Sequence, residues 1–141
     1  MADNLGAFSP KLDELMSAYR SLAEHVSVCQ RASPEQLGRE LDALKAESAG
    51  YERRLEAGTR SRARMAAGLC RAQLRYELEV RSLLAGGLDG AGRESRAESM
   101  TLAAEFAMDF AAAAVHNALG AAIAALLLQQ DDKNTKLRED E

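Results

Sequence analysis

At 141 residues the chain has room for one domain at most, or for an elongated piece of a larger assembly. Hydrophobic residues make up 47% of it but aromatic residues only 4%, and tryptophan is absent. A net charge of −4 gives the chain as a whole no pull on nucleic acid, and two cysteines, Cys29 and Cys70, are too few for a disulfide framework and lack metal-ligand spacing. Ala, Leu, Glu and Arg dominate, the residues that form helices well. No window alternates apolar with polar residues in the manner of a strand. Proline occurs only at Pro10 and Pro34, so from residue 35 onward nothing forbids a helix.

Residues 1–9 lack the form of a signal peptide and read as a flexible N-terminus. Ser9-Pro10 has the form of a helix start, with serine as N-cap and proline where its missing N–H costs nothing. The first helix is predicted over 10–31. Leu12, Leu15, Tyr19, Leu22, Val26 and Cys29 follow in steps of three and four, an unbroken heptad seam. "SPEQ" at 33–36 restarts the chain: a serine cap, a proline, then a glutamine able to bond back to the cap. Two helices joined by so short a corner should pack antiparallel.

The second helix opens with Leu37, Leu41 and Leu44, then Tyr51 and Leu55. Met65, Leu69, Ala72 and Tyr76 continue the same phase, with Gly58 and Arg62 at the seam positions between. Arg53, Arg60, Arg64, Arg71 and Arg75 step by seven and four and fall within about 60° of one another on a helix, opposite the seam. A turn at 57–64 would scramble both registers, so one continuous helix is expected over 34–85. Gly50, Gly58 and Gly68 each weaken it by up to ~1 kcal/mol, and a break near Gly58 would give a compact four-helix bundle instead.

"AGGLDGAGRE" at 85–94 makes 85–95 the one clear loop, and "SRAE" at 95–98 reads as a second capping box. The third helix is expected over 96–130, followed by a charged, solvated and disordered tail at 131–141. Alanine dominates the third helix from residue 106, and beyond Gly120 the run "AAIAALLL" has no polar face. A helix apolar all round is a buried helix, so something must cover it. The predicted protein interface is Val115, Leu119, Ala122, Ile123, Leu126 and Leu127. A membrane span has the needed length but would bury Asp109, His116 and Asn117, each costly in lipid, so no span is expected.

The remaining candidates are weaker. Glu98, Glu105, Asp109 and His116 share one face of the third helix and could suggest a metal, but no other helix offers a matching ligand set. His25 lies beside Glu24 and off the seam. Neither histidine has a visible reason to approach Cys29 or Cys70, so no nucleophilic pair is assigned. "GGLDGAG" lacks the lysine and the preceding strand of a phosphate loop. The arginine ridge would suit an acidic partner, a phosphate backbone or an acidic filament. It lacks aromatic residues for base stacking, and flanking glutamates moderate its charge.

The expected fold is all-α: an elongated helical hairpin or coiled coil with a long central helix and an Ala-rich C-terminal helix, the compact four-helix bundle being the alternative. The expected function is non-enzymatic helix–helix association, as a cytoplasmic or nuclear subunit, adaptor or small chaperone completed by itself or by a protein partner. No catalytic residue, cofactor, metal or small-molecule substrate is predicted. Nucleic-acid or filament binding through the arginines stands second, and a metal-dependent helical enzyme last.

Overall fold

A computed structural model of the chain describes residues 2–88 and 92–140. It is all-α: α1 (Ala2–Cys29), α2 (Pro34–Gly58), α3 (Arg64–Leu88) and α4 (Arg93–Glu139), with no strand among the described residues. Two compact units divide it, Met1–Glu79 and Val80–Glu141.

In the first unit, α1 starts upstream of the expected Ser9 cap and carries Pro10 inside it, at the cost of one backbone hydrogen bond. Its C-terminus tightens through Arg31 N–H to Val28 O and Ala32 N–H to Cys29 O, both 3.2 Å. The corner that follows forms as its sequence dictates. Ser33 Oγ accepts from the Gln36 N–H at 3.3 Å, Gln36 Oε1 accepts from the Ser33 N–H at 2.9 Å, and Pro34 takes the first helical position. Beyond the corner α2 folds back along α1. Arg54 reaches Glu14, 40 residues earlier, with 2.7 Å between Nη1 and Oε1, and its guanidinium lies 4.8 Å from the centre of the Tyr51 ring.

The continuous helix expected over 34–85 is not what forms. α2 ends at Gly58, and α3 begins at Arg64. Four local bonds hold the corner. Arg60 N–H and Ser61 N–H turn back to Ala57 O (3.1 Å) and Gly58 O (3.0 Å), the Thr59 hydroxyl donates to Glu56 O (2.6 Å), and Ser61 Oγ accepts from the Ala63 N–H (3.2 Å). Thr59 and Ser61 here give the backbone partners that a helix would otherwise supply. The seam that implied continuity has no apolar residue at Gly58 or Arg62, so between Leu55 and Met65 it gave the chain nothing to bury.

The break lets α3 turn a different face inward. Met65 and Leu69, the expected seam, are 79% and 66% exposed, whereas Ala67 is buried and Cys70 and Leu74, in steps of three and four, are half-buried. Small residues win because two helices meet closely here. A Cβ added to Gly58 would stand 3.3 Å from Cys70 Cβ and inside van der Waals contact with Cys70 Sγ. Ala67 is the one buried apolar residue among those described, and the α1 seam stays partly open, from Val26 at 41% to Tyr19 at 71% exposed.

In the second unit the expected loop at 85–95 is much shorter. α3 continues through Gly86 and Gly87 to Leu88, and α4 starts at Arg93 with Gly92 as its N-cap. Ser95 therefore lies inside the helix and caps nothing; residues 89–91 of that loop lie outside the described residues. Glu94 in the first turn and Lys136 and Arg138 in the last complement the helix dipole. α4 is 47 residues long, about 70 Å, and continues through the segment expected to be a disordered tail.

Candidate interaction surfaces

The predicted interface residues all lie on α4. Val115, Leu119, Ile123 and Leu127 are 47–58% exposed, and Ala122 and Leu126 are half-buried. None of the helix's residues is buried. Phe106 and Phe110, one turn apart, have ring centres 6.1 Å apart and are as open as the aliphatic residues. The exposed apolar surface therefore begins upstream of Val115. Residues 110–130 contain no Asp, Glu, Lys or Arg, a stretch of about 32 Å. By length and composition alone α4 also qualifies as a membrane-crossing helix.

The arginine ridge does not form on one helix. Arg53 belongs to α2, Arg60 to the corner, and Arg64, Arg71 and Arg75 to α3. All five are exposed. Arg71 Nη1 points at Thr59 O from 3.5 Å, so this side chain helps close the corner. A different pattern is present. Between Glu56 and Glu77 the chain has Arg60, Arg62, Arg64, Arg71 and Arg75 and no acidic residue. Arg62 is absent from the ridge because heptad counting placed it in the seam.

The hydrogen bond from Arg54, then its charge, holds the Glu14 carboxyl below its ordinary range, and the same bond raises Arg54. Nothing in the sequence pairs residues 40 positions apart, so this link was not legible there.

Glu98, Glu105, Asp109 and His116 spread over about 27 Å of α4 and cannot converge on one ion. No group of three His, Cys, Asp or Glu able to hold a metal exists among the described residues. His25 is exposed, with Nδ1 2.9 Å from Ser21 Oγ. Cys29 and Cys70 are free thiols; the first lines an open groove at the α1–α2 corner with Arg31, Gln36 and Arg39, and the second packs on Gly58.

No protein family matches this chain, and neither a curated protein nor a solved structure shows significant similarity to it.

Proposed function

We propose that the chain is a non-enzymatic interaction protein of the cytoplasm or nucleus, a subunit, adaptor or small chaperone, that works by helix–helix association through α4. One observation supports this above the others: α4 has no buried residue, yet carries an apolar surface from Phe106 to Leu128. Completing the burial of a large aliphatic side chain already half covered is worth about 1 kcal/mol. Val115, Leu119, Ile123, Leu126, Leu127 and Leu128 together would then contribute roughly 5–8 kcal/mol before the cost of association. Exposed apolar surface of this extent is what interfaces are made from.

The test is the mass of the full chain in solution, with a pull-down from its native extract at low and high salt, each repeated with Leu126→Glu. Association that survives salt and is lost in the variant supports the reading. Absence of any association, or one indifferent to Leu126→Glu, refutes it.

A second reading rests on the basic corner. Five exposed arginines unrelieved by acid over residues 57–76 would suit an acidic partner such as a phosphate backbone. It predicts binding to a nucleic-acid duplex that weakens steeply with salt and with Arg60→Ala, Arg62→Ala and Arg64→Ala.

A further inference from the structure

We propose that the outward face of α3 docks on an anionic phospholipid bilayer, the helix lying flat with Met65, Leu69 and Tyr76 toward the acyl chains and its arginines at the phosphates. The proposal stands apart from the reading of α4, and it gives the arginines of the corner a lipid surface in place of a nucleic-acid duplex.

The apolar half of the face follows from the break at Gly58. α3 packs through Ala67, Cys70 and Leu74, which turns the stripe Met65, Leu69, Ala72 and Tyr76 about 160° away from that packing. Met65, at 79%, is the most exposed large apolar side chain among the described residues, and Leu69 and Tyr76 follow at 66% and 46%. The four residues of the stripe fall within about 60° of one another and extend over about 16 Å of helix.

The charged half lies alongside. Arg64, Arg71 and Arg75 follow one flank of the stripe, about 110° round from its centre, and Arg60 and Arg62 stand at its upstream end in the corner. The other flank, Ala66 and Gln73, is uncharged. Among the described residues the side chains of Arg60, Arg62, Arg64 and Arg75 make no ion pair, and Arg71 reaches only a backbone carbonyl. Met1–Glu79 has twelve Lys and Arg against twelve Asp and Glu, yet residues 57–76 hold five of the bases and no acid. Positive charge is therefore gathered at this face, and Glu77 and Glu79 close it downstream.

The two halves together define the partner. The arginines require anionic groups, and the stripe requires hydrocarbon within a side chain's reach of them. A duplex offers phosphates but leaves Met65 and Leu69 in water. An acidic groove on another protein would have to enclose a helix whose rear already meets α2 at Gly58. A bilayer presents a plane of phosphates directly above acyl chains, and α3 has a single outer side to lay on it. Arginine stems can follow the apolar boundary while the guanidinium stays among the headgroups.

Flotation of the full-length chain with vesicles tests the proposal. Binding is expected with mixed phosphatidylserine and phosphatidylcholine, should be slight with phosphatidylcholine alone, and should weaken steeply with salt. Arg62→Ala, Arg64→Ala and Arg75→Ala should each weaken it roughly fivefold at low salt. Met65→Ser with Leu69→Ser should weaken it at least about tenfold, with the melting curve of the parent because both side chains are exposed. Leu126→Glu should change nothing. Duplex binding that needs the arginines but not Met65 and Leu69, without flotation, overturns the proposal in favour of nucleic acid. Equal flotation on phosphatidylcholine alone overturns it too, as does flotation that Leu126→Glu abolishes and the paired serine substitutions leave intact, since α4 would then hold the lipid. A chain that floats with neither vesicle overturns it outright.

Discussion

Gly58→Ala is the substitution that separates a closed corner from a continuous helix. Two effects oppose each other at this position. Alanine is the better helix former by up to ~1 kcal/mol, and a continuous helix would take the whole benefit. At a crossing the new methyl needs room, and the nearest atoms of Cys70 leave none: its Cβ would be 3.3 Å away and its Sγ closer still. Overpacking of this kind costs typically 1–3 kcal/mol, and the benefit shrinks at the last residue of a helix, so a net loss of about 1–2 kcal/mol is expected. For a unit spanning Met1–Glu79 this is a fall in Tm of roughly 4–15 °C, readable by circular dichroism. Cys70→Ala supplies the control. It removes the Sγ that the methyl meets, so in that background Gly58→Ala should lose at least ~1 kcal/mol of its cost, a coupling that a double-mutant cycle measures. If Gly58→Ala stabilises the protein, and does so equally with Cys or Ala at position 70, then no close crossing exists there and the continuous helix over 34–85 is right.

Other outcomes follow from the same contacts. Ser33→Ala removes the serine half of a formed capping box and should lower stability by about 1 kcal/mol in urea unfolding, with Thr in its place recovering most of the loss. Glu14 has its folded pKa depressed by Arg54, so its contribution is present above the ordinary carboxylate range and lost as pH falls through it. Thermal melts of the parent and Glu14→Gln should therefore converge in acid and differ at neutral pH, by a margin that salt reduces; equal melts at both pH values would remove the link from the fold. Leu119→Glu, on a helix with no buried residue, should leave helix content and melting within about 0.5 kcal/mol of the parent under conditions where no partner is engaged. A large loss of helix there would mean that α4 is covered within its own chain.

What could be read from the sequence depended on how local each signal was. The Ser33–Gln36 box lies within four residues and formed as expected, and the lack of strand pattern was enough for the all-α class. Gly58 was ambiguous because a glycine tolerated inside a helix and a glycine required by a close crossing are the same letter; only Cys70, twelve residues on, distinguishes them. The inward face of α3 was misjudged for a related reason. Counting by size selects Met65 and Leu69, whereas a close crossing selects Ala67 and Cys70. The start of α4 was placed late because Ser95 and Glu98 have capping-box spacing, yet the chain uses Gly92, which has no side chain to announce itself. On α4 itself, composition marked 115–127 as an apolar stretch, and Val115, Leu119, Ile123 and Leu127 there are 47–58% exposed.

The alanine content of α4 then has two consequences that leucine could not supply together. A helix without packing must be held by its own propensity, and most helices in proteins are not; they rely on a buried face. Nine of the fifteen residues at 111–125 are alanine, the strongest helix former, so this stretch can keep its shape while exposed. Had those positions been leucine, the helix would be nearly as regular but would present a far larger apolar area to water, and indiscriminate association would follow. Had they been serine or glutamine, the helix would be soluble but would have little to gain from a partner. Alanine keeps the unpaired helix tolerable in water while leaving room for the leucines of another helix to enter. On the proposed reading of α4 as an association surface, the few large residues, Val115, Leu119, Ile123, Leu126 and Leu127, are the ones that a partner helix would have to accommodate.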